Sequence, residues 1–119
     1  MIDGVKLIAA ERERQVSEER WTPEHDDTHT DGELVAAARC YLTPPGAERN
    51  VTLEVVEAQT LVGVAAVPRD WPWEPDAWKP PRGLDRIREL TKAGALIAAE
   101  IDRLQRADCR LPVDTGAVE

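Results

Sequence analysis

The sequence predicts a mainly α protein: a small three-helix bundle with an inserted β-hairpin or long loop and a loop rich in tryptophan and proline. Three observations lead there. Leu84, Ile87, Leu90, Gly94, Ile97, Ile101 and Leu104 keep a helical period along one uninterrupted segment. Two earlier segments, 4–20 and 23–42, place apolar residues at helical steps between capping and breaking residues. Residues 68–83 hold three of the four tryptophans and five of the nine prolines, a composition unsuited to regular helix or strand.

The first helix has Asp3 as its cap. Val5, Ile8, Ala9, Arg12 and Val16 share its expected inner face, Arg12 contributing its aliphatic stem. Glu11, Glu13, Arg14, Glu18 and Glu19 cover much of the other side. Trp21-Thr22-Pro23 interrupts the helix, and Thr22 is placed to cap a new turn with Pro23 as its first residue. Thr30 or Asp31 offers a second cap before residues 33–42, where Leu34, Ala37, Ala38, Tyr41 and Leu42 share a face. One helix over 23–42 and two pieces kinked near Thr30 are both compatible with this pattern.

Pro44-Pro45-Gly46 is a stop. Two β-branched runs between Val51 and Val67 suit a small hairpin, whose outer edge is a candidate subunit contact. The last helix is expected over 84–107, with Gly94 permitting a close crossing. The domain is then 1–110 with an insert at 43–83, followed by a flexible tail at 111–119.

At 119 residues the chain fits one domain. Fifteen Lys and Arg against 23 Asp and Glu give a net charge of -8, which argues against a footprint for duplex nucleic acid. Cys40 and Cys109 make no disulfide framework. The opening residues do not read as a secretion leader, and no segment suits a membrane span. The expectation is a cytoplasmic protein, and the amphipathic last helix with the candidate edge strand points to a homo-oligomer.

Two constellations carry chemistry. The first is Glu24-His25-Asp26-Asp27-Thr28-His29-Thr30-Asp31-Gly32-Glu33. On a continuous helix His25, His29 and Glu33 line one face, and with Asp26 or Asp27 they suit zinc, manganese or iron, or magnesium through the carboxylates alone. A solvated acidic turn and a hydrogen-bonding hub for the histidines are the alternatives. Glu11, Arg12 and Gln15 are positioned to face this cluster across the Trp21 turn. The second constellation is the tryptophan loop. Trp71, Trp73 and Trp78, flanked by Arg69, Lys79 and Arg82, suit stacking of a base and pairing with a phosphate; a structural plug and a subunit contact compete with that reading. The metal pairs of helical nucleotide pyrophosphohydrolases are not matched, since Arg103 stands three residues beyond Glu100.

ERERQVSEERWTPEHDDTHTDGELVAAARCY, WPWEPDAWKP and LTKAGALIAAEIDRL together resemble a family of small phage and prophage proteins. Members commonly read ERxRQ, GWTPEHDD, HxxGEL, WPW, WKP and KAGALIxAEIxRL. The resemblance covers residues 11–41 and 71–104. Arg20 departs from it, standing where a glycine usually precedes the tryptophan. It implies a phage or prophage setting and no particular mechanism.

The favoured function is binding, of a nucleotide-derived signal or a host protein, with Arg69, Trp71, Trp73, Trp78, Lys79 and Arg82 at the ligand and no cofactor. The alternative is a nucleotide hydrolase dependent on magnesium, manganese or zinc. It would use Glu24, Asp27 and His29, a metal set of His25, Asp26, Asp27, His29 and Glu33, and Glu100.

Overall fold

The computed structural model describes residues 2–43, 51–56 and 60–109. It is mainly helical: α1 spans Gly4–Ser17, α2 Pro23–Asp26, α3 Glu33–Leu42 and α4 Arg86–Cys109. Strands β1 (Val51–Val56) and β2 (Thr60–Ala65) pair antiparallel, with Val51 opposite Ala65 and Val56 opposite Thr60. The expected tail at 111–119 and the Pro44-Pro45-Gly46 stop lie outside the described residues.

Local chemistry sets the helix starts. The Lys6 amide donates to the Asp3 carboxylate at 2.9 Å, and the His25 amide donates to the Thr22 hydroxyl at 3.2 Å, with Pro23 as first residue. The segment 23–42 is two helices. The chain turns after Asp26 and re-enters helix at Glu33 through Gly32, whose φ of 84° suits glycine. α4 begins two residues later than expected because Leu84 has a φ of 56°, and Asp85 then caps the Arg88 amide at 3.2 Å.

The core lies between α3 and α4. Leu34, Ala37, Ala38, Cys40 and Tyr41 meet Ala93, Leu96 and Ala99, and Trp71 and Trp78 close one side. Small residues let the two helices approach closely.

Two expected faces are corrected. Ile87, Leu90, Ile97, Ile101 and Leu104 are all exposed, and the inward side of α4 is Glu89, Lys92, Ala93, Leu96 and Ala99. On α1, Val5 is exposed while Glu11 and Gln15 are buried. The cause is long-range charge matching: α4 presents Arg88 and Lys92 to α1, so α1 turns its carboxylate inward. Gly94 does mark a close crossing, because a Cβ built there falls 2.6 Å from Cδ1 of Ile8.

Candidate functional site

Two carboxylates of the acidic motif, Asp26 and Asp27, are held by arginines. Arg12 reaches from α1 to the buried Asp26 carboxylate and to the Trp21 carbonyl at 3.1 Å. Its guanidinium therefore has a role beyond the packing of its stem. Burial pushes the Asp26 carboxyl above its ordinary range, outweighing the opposing charge of Arg12. Asp27 is clamped by Arg106 of α4, Nη2 at 2.8 Å and Nε at 3.1 Å. Glu33 accepts the Asp31 amide at 2.8 Å, and its carboxyl is held low first by its own backbone amide and then, against slight desolvation, by that of Asp31. Glu100 is held by Arg103, with Nε at 2.8 Å. Glu24 is exposed.

The histidines belong to a cluster of tilted and edge-on aromatic rings. The rings of His25 and His29 lie 4.8 Å apart, His29 lies 5.1 Å from Trp73, and Trp73 lies 5.4 Å from Trp21. Nδ1 of His29 is 3.8 Å from Glu33. The two constellations seen in the sequence are thus one body, joined at Trp73.

Buried Asp26 Oδ1, His29 Nε2 and Trp73 Nε1 have no hydrogen-bond partner. The first two are the donors best placed to serve a metal. Among the described residues, however, no group of three His, Cys, Asp or Glu side chains is arranged to hold one. The metal set of His25, Asp26, Asp27, His29 and Glu33 is not assembled as a cage, because Arg12 and Arg106 engage Asp26 and Asp27 while Glu33 takes the Asp31 amide.

Trp71 and Trp78 are buried against Tyr41, with Trp78 stacked on its ring at 4.6 Å. Trp71 Nε1 donates to the Glu74 carbonyl at 3.0 Å, and the Lys79 amide donates to the Tyr41 hydroxyl at 3.3 Å. Burial raises the Tyr41 phenol well above its ordinary range. These two tryptophans plug the bundle and offer no stacking face. Trp73 is half-buried. Lys79 pairs with Glu19 at 2.9 Å, while Arg82 is exposed.

Between α1 and α4 lies a buried ionic knot that the sequence did not disclose. Glu11 receives Arg88 at 2.6 Å, Arg14 at 2.9 Å, the Gln15 amide at 3.2 Å and Lys92 at 3.7 Å. Burial alone would raise the Glu11 carboxyl, but the Arg14 hydrogen bond and the charges of Lys92 and Arg88 hold it below its ordinary range. Burial lowers the Lys92 ammonium despite Glu11. Beside the knot is a cavity of about 10 Å³ lined by Gln15, Trp21, Tyr41 and Lys92 among others, which is room for roughly one water. Gln15 Oε1 is buried there without a partner. Gln15 and Glu11 therefore face α4; of the α1 residues expected to face the histidine motif, Arg12 alone does so.

The larger opening is a cleft of about 110 Å³ between α3 and the chain leading into Trp71. Arg39, Cys40 and Thr43 line one side, and Arg69 and Asp70 the other. Arg39 and Arg69 make no ion pair among the described residues. Arg69 was legible as a ligand candidate beside the tryptophans; Arg39 was missed, because Arg69 lies thirty residues away and nothing beside Arg39 in sequence sets it apart.

Comparison with protein-family models, with curated proteins and with solved structures returns no match.

Proposed function

We propose that the chain is a binding protein that holds the anionic group of a small phosphorylated ligand between Arg39 and Arg69. The observation that carries this reading is that Arg39 and Arg69, thirty residues apart in sequence, line one cleft and make no ion pair among the described residues. Guanidinium offers the planar fork that matches phosphate oxygens. A volume of about 110 Å³ suits one phosphoryl group and falls well below the roughly 300–1,000 Å³ that encloses a whole drug-sized ligand. The remainder of the ligand then lies outside the cleft. Asp70 disfavours a second negative charge on its side and selects for a singly seated phosphate.

A nucleotide-derived signal meets this description, and the phage-family resemblance supports a setting in which such signals circulate. The hydrolase alternative is weaker, because three of its carboxylates, Asp26, Asp27 and Glu100, are engaged by Arg12, Arg106 and Arg103. No helix among the described residues is long and apolar enough to cross a membrane.

Calorimetric titration with pyrophosphate, ADP and cyclic dinucleotides tests the reading. Binding that persists in chelator, returns the nucleotide intact and weakens at least about tenfold in Arg39→Ala and in Arg69→Ala is expected, since a charge-assisted phosphate contact contributes about 1.5–3 kcal/mol. Affinity indifferent to both substitutions, or turnover that stops in chelator, refutes it.

A further inference from the structure

α4 has two working faces. One packs inward; the other presents Ile87, Leu90, Ile97, Ile101 and Leu104, each between 40% and 68% exposed. With Gly94 these residues recur at steps of three, four, three, four and three. That is the narrow seam of a coiled coil, not the broad stripe of a globular helix. Ile2 and Val5 add to it at 60% and 80% exposure. α1 runs antiparallel to α4, because Ile8 meets Gly94 while Glu11 meets Arg88, so Val5 lies toward the C-terminal half of the seam. These seven side chains leave roughly 650 Å² of apolar surface per chain, at the upper end of what monomers expose. Doubled, that reaches the roughly 1,200–2,000 Å² buried by a stable interface.

The geometry points to a second copy of this chain, laid antiparallel along α4, as the partner of this face. The spacing is a palindrome. Reversing one helix sets Ile87 opposite Leu104, Leu90 opposite Ile101, and Gly94 opposite Ile97. Every large knob then meets an apolar position, the one at Gly94 being filled by Ile8 of α1. Arg86 is held within its own chain by the Tyr41 carbonyl and Glu89, so the helix dipoles choose the direction, and they favour the antiparallel arrangement. Each copy contributes α1 and α4, giving a four-helix contact independent of the Arg39–Arg69 cleft.

Light scattering and sedimentation equilibrium on the full chain, from about 1 to about 100 μM, test this. The expected mass is twice 13.2 kDa. Ile97→Glu combined with Ile101→Glu is expected to weaken the pair at least about 100-fold while the helical circular dichroism is retained, because both side chains already face water in the single chain. Orientation is read by oxidative cross-linking in a Cys109→Ser background. Ile87→Cys mixed with Leu104→Cys cross-links, while Leu104→Cys alone does not, its two copies lying about 25 Å apart. A monomer at the highest concentration, a dimer indifferent to the glutamates, or efficient Leu104→Cys self-cross-linking overturns the proposal. If the glutamate variant loses helix, the cross-linking pair decides.

Discussion

Truncating Glu11 to alanine is expected to cost about 3 kcal/mol of folding stability. The Glu11 side chain is fully buried, and it is the shared counter-ion of Arg14, Arg88 and Lys92. Its loss leaves Lys92, whose side chain is only 10% exposed, facing two guanidinium groups with no anion between them. Breaking a buried ion pair costs about 3–5 kcal/mol. The lower figure applies here, because Arg14 and Arg88 keep 26% and 36% of their side-chain surface and can turn toward water. With a denaturant slope of about 1–2 kcal/mol per molar, the urea midpoint at neutral pH falls by roughly 2 M. Intrinsic tryptophan fluorescence follows the transition, because Trp71 and Trp78 are buried in the core. Adding Lys92→Met to Glu11→Ala removes the stranded cation and is expected to restore about 1–2 kcal/mol, a coupling within the range for groups in one network. A Glu11→Ala cost below about 1 kcal/mol, or strict additivity of the two changes, refutes the picture of a desolvated, mutually dependent knot.

Arg20→Gly is expected to stabilise the fold by about 1 kcal/mol, because Arg20 has a φ of 63°, a region costly for a side chain and free for glycine; an unchanged or lower thermal midpoint contradicts this. Arg86→Ala is expected to cost about 2 kcal/mol in urea denaturation, since its guanidinium caps the Tyr41 carbonyl at 3.1 Å and pairs with buried Glu89 at 3.0 Å; a loss under about 0.5 kcal/mol refutes that role. Glu11 and Glu19 have folded-state carboxyls held below the ordinary 4.5, so their contribution is present above that pH and is lost as pH falls through the lower folded values. Asp26, raised from 3.8, works in the opposite sense and offsets part of the loss. Urea midpoints measured from about pH 6 down to about pH 3 are expected to fall in the native chain and to fall less in Glu11→Gln; equal slopes in the two proteins refute the assignment.

The candidate site was partly readable along the chain. Local spacing drew attention to Glu24–Glu33 and to the tryptophan loop, since both are dense in chemistry within about ten residues. Their meaning was not local. Asp27 is held by Arg106, 79 residues away, and Lys79 meets Tyr41 across 38 residues. No pattern of neighbours distinguishes a carboxylate awaiting a metal from one already engaged by an arginine from another helix. The cleft between Arg39 and Arg69 was half visible for the same reason.

By itself the sequence determined where α1 and α2 begin and that one long helix closes the described chain. Asp3, Thr22-Pro23 and the uninterrupted run into α4 act through hydrogen bonds and steric limits that reach three or four residues, so the information lies beside the structure it shapes. Only the tertiary structure decided which sides of those helices face inward. The apolar seam of α4 pointed to a core and proved to be a surface, while Glu11 and Gln15 of α1 went inside. The physical reason is that helical periodicity marks a face without naming its partner: α3 offers small residues that fit Ala93, Leu96 and Ala99, and Arg88 and Lys92 supply the counter-charges that make a buried glutamate tolerable.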